Sequence, residues 1–255
     1  TAAAGFRAGS VAAGLAARGG VDLTVVINDG VVTPAACVFT SNRAKAHPIV
    51  WSQQVMVGGS AKAIVLNAGG DNCFTGPEGF ALTHRSAETL AAALGDTGAS
   101  EILVCSTGLI GELLPAGAVL EGITQAVGRA EATPEAGASS SLAILTTDSH
   151  AKTAVTTLDT PEGTITLGGM AKGAGMLAPG LATMLVVITT DAVMEHEGLN
   201  SALRAATRVS FDRLDSDGCM STNDQVTLMA SGASGIAPDA VEFQRVLTQL
   251  CLALS

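Results

Sequence analysis

Charge and aromatic rings are both scarce in this chain. Charged residues make up 14% of its 255 residues and aromatic residues 3%, against 47% hydrophobic. Low charge with high apolar content excludes a disordered chain. With few rings, the core must be built from Ala, Val, Leu and Ile, and 30 glycines let the backbone pack closely. The net charge is −10 and Lys and Arg form no cluster. That argues against nucleic acid, which demands a basic face, and against an anionic membrane surface. No apolar run reaches the ~20 residues needed to span a bilayer. No basic start leads into an apolar stretch, so no secretory signal is expected within the chain. The cysteines (Cys37, Cys73, Cys105, Cys219, Cys251) contain no CxxC pair, and the four histidines lack ligand spacing. A zinc site is therefore not expected. Scattered cysteines read as small buried hydrophobes in a reducing cytoplasm.

What is present is a mixed order of strands and helices. Leu23 to Ile27, then Asn28-Asp29-Gly30, then Val31 to Thr40 reads as a hairpin, with Pro34 at a strand edge or break. Ala63 to Asn67 and Ile102 to Cys105 are compact strands ending in Gly69-Gly70 and Ser106-Thr107-Gly108. Phe80 to Leu94 and the stripe from Val119 to Val127 keep helical spacing, the latter with Pro115 near its start. Glu131 to Ser141 reads as a surface loop. Ala154–Thr157 and Thr164–Leu167 read as strands paired around Thr160-Pro161-Glu162-Gly163. A Gly-rich segment, 168 to 180, leads into an apolar strand, Thr183 to Thr190. A helix is expected from Asp191 through Arg208, a strand over Val226–Met229, and a last helix opened by Pro238. That helix carries a stripe at Phe243, Val246, Leu247, Leu250, Cys251 and Leu254. The chain stops within the stripe without a Gly cap or polar finish, which suggests part of a longer protein. The class is mixed α/β.

The segment richest in chemistry runs from Gly168 to Leu185. Its glycines and Pro179 permit tight turns, and Thr183 stands where loop meets strand. Strain there would expose the Ala182 carbonyl to the Thr183 hydroxyl. An acyl shift from nitrogen to oxygen, followed by hydrolysis, would free a threonine whose own α-amine, with a pKa of about 7.7–8.0, serves as its base. An ordinary strand start, or a phosphate cradle, is the competing reading. The segment has neither a Walker A sequence nor a strand-to-helix context.

Several motifs stand in one order: Val38-Phe39-Thr40-Ser41-Asn42-Arg43; Asn67-Ala68-Gly69-Gly70 with Thr75-Gly76; Cys105-Ser106-Thr107-Gly108-Leu109-Ile110-Gly111; Thr146-Thr147-Asp148; the segment from Gly168 to Asp191; and Phe211 to Asp215 through Ser221-Thr222-Asn223-Asp224. Together they resemble the ornithine acetyltransferase family, the bifunctional glutamate N-acetyltransferases of arginine biosynthesis, over nearly the whole chain. The resemblance implies a sandwich of β-sheets flanked by helices, of the self-cleaving N-terminal-nucleophile type shared with certain aminopeptidases. It implies cleavage between Ala182 and Thr183, giving an α chain (1–182) and the start of a β chain (183–255). Thr183 matches the nucleophile, Thr107 and Gly108 the oxyanion hole, and Lys172 with Thr146 or Thr147 the substrate contacts. The implied reaction moves acetyl from N-acetylornithine to glutamate, and some family members also accept acetyl-CoA. No metal or cofactor is implied. The cleaved chains are expected to associate as a heterotetramer in the cytoplasm. An aminopeptidase-like hydrolase and an inert fragment are the alternatives.

Two features depart from the family pattern. Family members continue past Ser255 with a further glutamate, a Gly-Ser-Asp-Pro-Asn-Trp-Gly-Arg segment and a late Asn, so little activity is expected of a molecule ending there. The loop Gly70-Asp71-Asn72-Cys73-Phe74-Thr75 is unusual, and Asp71 and Phe74 are expected to alter packing near the site. Asp215-Ser216-Asp217-Gly218 reads as a plain turn rather than a calcium loop. His47 reads as structural or solvated, and Trp51 as a packing residue.

Overall fold

Strands buried on both faces read as continuous apolar runs, and two such runs here sit at the centre of two different sheets. A computed structural model describes residues 1–176 and 184–255. The strands are β1 (Phe6–Val11), β2 (Leu23–Asn28), β3 (Ala35–Phe39), β4 (Ala63–Gly70), β5 (Ile102–Leu109), β6 (Lys152–Thr160), β7 (Gly163–Lys172), β8 (Leu185–Thr190) and β9 (Gln225–Ala230). The helices are α1 (His47–Val55), α2 (Gly76–Leu94), α3 (Ala116–Gly128), α4 (Pro134–Ala143), α5 (His196–Val209) and α6 (Ala240–Leu254).

One sheet has the order β1-β2-β4-β5, the other β3-β9-β8-β7-β6. Each contains one parallel pair, β4 with β5 and β8 with β9, and is otherwise antiparallel. Alternation of side chains then builds three layers of core. Ile64, Leu66, Leu103 and Cys105 of the first sheet meet Cys37, Leu185, Val187 and Met229 of the second. On the first sheet's other face, Val25, Val65 and Val104 pack under Leu90 of α2 and Ile123 of α3. Behind the second sheet, Val186, Ile188 and Leu228 pack against Leu203 of α5 and Phe243 and Leu247 of α6. The result is a sandwich of two sheets between helices, and the expected stripe on α6 is buried throughout.

Four sequence readings are corrected. β2 and β3 do not form a hairpin: β2 pairs with β1 and β4, and β3 pairs with β9. The Asn28-Asp29-Gly30 segment crosses between sheets instead, with Asn28 Nδ2 donating to the Ala230 carbonyl at 2.8 Å. The expected loop at 131–141 contains α4, whose cap is Thr133 Oγ1 accepting from Ala136 N. It lies on β1 and β2 through small buried residues, Ser140 and Ala143 among them, so it shows no apolar stripe. Gly168 to Lys172 belong to β7 rather than to a loop, because a side chain at Gly168 or Gly169 would strike Ala2 or Leu254. Asp191 does not open a helix; its carboxylate accepts from Thr166 N at 2.8 Å, and α5 begins at His196. The β6–β7 hairpin is as expected, longer at both strands, with Thr160 opposite Gly163. Trp51 packs as expected, its Nε1 donating to the Ile102 carbonyl. His47 opens α1 edge-on to Phe80. Cys37, Cys73, Cys105 and Cys251 are buried, and Cys219 is exposed.

Candidate functional site

The carboxyl ends of β4 and β5 meet the amino ends of β8 and β9 at one end of the sandwich, where Asp71 after β4 accepts from Thr222 before β9. In the first sheet, β4 and β5 end irregularly at Gly69 and Gly70. Asn67 fixes this end, accepting from Ser106 Oγ at 2.7 Å and donating to the Gly70 carbonyl. Thr107 is buried and Gly108 exposed. Gly108 has φ +134°, and a Cβ there would lie 2.4 Å from the Gly69 carbonyl carbon. Only glycine allows this close approach of the two chains. The Thr107 hydroxyl makes no hydrogen bond among the described residues.

Beyond Gly70 the chain turns sharply through Asn72 and Phe74, both at positive φ. Asn72 Nδ2 donates to the Gly79 carbonyl and to Thr83, which anchors the loop on α2. The loop aims Asp71 at the second sheet, where Thr222 Oγ1 donates to it at 2.9 Å. Phe74 is exposed.

In the second sheet, Lys172 ends β7 opposite Leu185. It is 2% exposed, and its Nζ donates to Thr146 Oγ1 at 3.0 Å. Asp148 stands 3.9 Å from the ammonium and accepts from Gly173 N and Thr146 N. Thr147 is exposed, so of the two adjacent threonines it is Thr146 that meets Lys172. Met184 is clamped by β9: its N–H donates to Asp224 Oδ1 at 2.9 Å, and its carbonyl accepts from Gln225 N. The Val38–Arg43 motif supports this turn, with Thr40 N donating to the Asp224 carbonyl and Asn42 Nδ2 to that of Met220. Ala182 and Thr183 lie outside the described residues.

The electrostatics follow from burial. Desolvation lowers the Lys172 pKa, opposed by the charges of Asp148, Asp224 and Asp71. Burial raises Asp71 to about 6, against hydrogen bonds from Thr222 and Asn223. Burial raises Asp224 to about 8, and the like charge of Asp71 adds to it. Asp224 Oδ2 has no hydrogen bond of normal geometry among the described residues, although Ser221 and Thr40 favour its ionised form. Asn223 Oδ1 and Gln225 Oε1 are likewise buried and unpaired. Buried polar atoms rarely lack partners, and three in successive residues mark this turn as shaped for something other than stability.

The arrangement offers a buried ammonium to an anionic group and a carboxyl that stays neutral near pH 7. Among the described residues no cluster of His, Cys, Asp and Glu could hold a metal, and no helix is long and apolar enough to cross a membrane. Asp217, within the expected turn, accepts from Met176 N. Of the predicted residues, Thr146 and Lys172 are in contact, and Thr107 and Gly108 join them through Asp71, the residue after Gly70 at their side. Asp71, Asp148 and Asp224 had no assigned role in the sequence reading. Their signal was present: Asp148 and Asp224 close two of the ordered motifs, and Asp71 is the departure in the Gly70 loop.

Known proteins resemble this chain in sequence and in fold. Arginine biosynthesis bifunctional protein ArgJ of Streptomyces coelicolor is 55% identical over 98% of this chain, and that of Thermobifida fusca 56% over 98%. In both cases the chain spans 64% of the relative's length. The crystal structure of ornithine acetyltransferase complexed with ornithine from Mycobacterium tuberculosis matches 72% of this chain and 94% of that one, at 47% identity and TM-score 0.66. The L-aminopeptidase D-Ala-esterase/amidase of Ochrobactrum anthropi, described as a variant of the ntn hydrolase fold, shares the fold alone, at 12% identity and TM-score 0.57 over 99% of the chain. The profile of the ArgJ family matches residues 7–255, and this chain belongs to that family.

Proposed function

We propose that this chain is the larger part of a self-cleaving acetyltransferase that moves acetyl from N-acetylornithine to glutamate through an ester on Thr183. The observation that carries the reading is the buried Lys172 ammonium held to Thr146 at the end of β7, one strand from Met184. An amino-acid substrate brings an α-carboxylate, which an ammonium of this kind binds as a point charge. Cleavage between Ala182 and Thr183 gives the threonine a free amine to deprotonate its hydroxyl. Thr107 and Gly108, at the end of β5, supply the oxyanion donors; one such donor typically contributes ~2.7–4 kcal/mol to the transition state. Ornithine leaves with the first half-reaction, and glutamate takes the acetyl group in the second.

The solved ornithine acetyltransferase chain supports the cleavage. It is matched almost entirely by 72% of this chain, and the residues ahead of Thr183 make up nearly the same share of the 255. On this reading 1–182 and 183–255 belong to separate subunits after maturation, and these associate in a cytoplasmic heterotetramer.

Intact-mass measurement of the full-length protein tests the proposal. Two pieces are expected, one beginning at Thr183, and a single piece from Thr183→Ala, together with loss of acetyl transfer. An unbroken active wild type would overturn it. Acetyl transfer that proceeds equally to water without glutamate would favour a hydrolase. The same assay with acetyl-CoA as donor tests the second donor.

A further inference from the structure

We propose that Asp148 is a positioning residue for substrate binding: it closes a polar ring that aims the Lys172 ammonium at the substrate's carboxylate and favours its charged form. This assignment rests on the reading of Lys172 as the group that takes the α-carboxylate, and names what prepares it for that task.

The ring is complete among the described residues. Asp148 Oδ1 accepts from Gly173 N at 2.7 Å, and Oδ2 accepts from Thr146 N at 3.0 Å. Lys172 Nζ donates to Thr146 Oγ1 at 3.0 Å, and Asp148 Oδ2 lies 3.9 Å from the same nitrogen. One carboxylate thus ties the turn that carries Thr146 to the backbone just past β7, with the Lys172 side chain between them. Arg18 secures the turn from outside, its Nε donating to the Leu145 carbonyl at 3.2 Å. An ammonium has three donors, and Thr146 takes one of them. Asp148 is too far from Nζ for a hydrogen bond but close enough to act by charge. Among the described residues the other two donors make no hydrogen bond, which leaves them for a ligand.

Three acids act on this ammonium: Asp148 from the Thr146 turn, Asp224 from the turn before β9 and Asp71 from the loop after β4. Burial lowers the Lys172 pKa, and of the three acids Asp148 opposes the lowering most. Their bonding differs too. Both oxygens of Asp71 accept from Thr222, and Asp224 Oδ1 is taken by Met184 N. Among the described residues, Asp148 alone of the three is bonded both to Thr146, the partner of Lys172, and to Gly173, its neighbour in the chain. A desolvated lysine titrates readily. The acid that holds it in place therefore also sets how far into alkaline pH it keeps the charge that a carboxylate needs.

The test uses L-ornithine, the product that leaves in the first half-reaction, because it carries the carboxylate and has no acetyl group to transfer. Its Kd is measured by calorimetry on the full-length protein across pH 6 to 10, in wild type and in Asp148→Asn. The ligand's own titration is common to both and cancels in the ratio of the two Kd values. Asn keeps one acceptor oxygen and removes the charge. The variant is expected to bind more weakly at pH 6, and the ratio to grow by about tenfold toward pH 10, because Lys172 then loses its proton about one pH unit lower, the small end of what an opposite charge at this range does. Equal Kd values throughout would overturn the assignment. A ratio that is raised but constant with pH would overturn it as well, since that would show a merely structural role. If Asp148→Asn fails to fold, Asp148→Glu keeps the charge but displaces it and is expected to bind ornithine more weakly; wild-type affinity at every pH in that variant overturns the positioning. Lys172→Ala tests the underlying reading separately: wild-type ornithine binding there would remove Lys172 as the carboxylate's partner, whatever Asp148 does.

Discussion

At Gly108 a single missing methyl group holds the two sheet-end strands together. The residue sits at φ +134°, and an added Cβ would meet backbone atoms of Gly69 and Gly70 at 2.4–2.7 Å. Backbone atoms cannot swing aside as a side chain's end can. Gly108→Ala is therefore expected to destabilise by on the order of 2 kcal/mol or more, from left-handed strain and the clash together. Chemical denaturation would measure it, and a change below about 0.5 kcal/mol, the level of an ordinary surface substitution, would show that these strand ends are free to part. Residues of this kind are legible in sequence only through motif. Thr107-Gly108 looks like any turn after a strand, and its partnership with Gly69-Gly70 depends on a parallel pairing across 39 residues, Ser106 with Asn67. The same holds for Lys172. Its place in a Gly-rich run made it look like a loop lysine, whereas β7 carries it into the interior. The acidic partners were harder still to see. Motif position singles out Asp71, Asp148 and Asp224, but they come from three separate segments, and only the fold brings them to one ammonium.

Helix α4 shows what periodicity can and cannot reveal. Pro134 opens it, and Thr133 Oγ1 accepts from Ala136 N at 3.2 Å. Thr133→Ala is expected to cost about 1 kcal/mol, the usual value of an N-cap. A thermal melt unchanged in the variant would show that packing alone holds the helix. The Thr-Pro-Glu start was a helix signal, yet Ala, Ser and Gly fill the turns beyond it, so no apolar stripe appears. The contact is made by small residues, with Ser140 bonded to Thr24 and Ser10 on the neighbouring strands. Long apolar stripes, as on α2, α3 and α6, were readable because burial of one face requires them. The false hairpin failed for a different reason. Asn28-Asp29-Gly30 has the composition of a tight turn, but which strand a run pairs with is decided at long range. Val31 and Val32 are exposed, and only from Ala35 does the chain enter the second sheet.

Across the whole molecule the buried carboxylates set a pH dependence of stability. Asp71 and Asp224 have ordinary values of 3.8, raised in the fold to about 6 and about 8. A carboxyl with a raised pKa binds its proton more tightly in the folded state than in the unfolded one. Its contribution is fully present below the ordinary value and is lost progressively as pH rises through the folded values. Lys172 acts in the opposite sense: its lowered pKa lets it shed its proton more readily in the fold, so stability is recovered toward alkaline pH. The charges of Asp148, Asp224 and Asp71 oppose that lowering, and with both carboxyls raised the carboxyls set the sign. The protein is therefore expected to melt at a lower temperature at pH 8.5 than at pH 5.5, in buffers matched for ionic strength. The difference should shrink in Asp224→Asn, which cannot ionise at that position, and shrink less in Asp71→Asn, whose titration is complete nearer pH 6. A melting temperature that rises from pH 5.5 to 8.5 would show that these carboxyls are ionised at little cost. Asp224 would then sit in a far more polar surrounding than its place between two sheets implies. The tilt is the cost of keeping a neutral acid in the interior: the same burial that weakens the fold above pH 8 leaves Asp224 carrying a proton at pH 7.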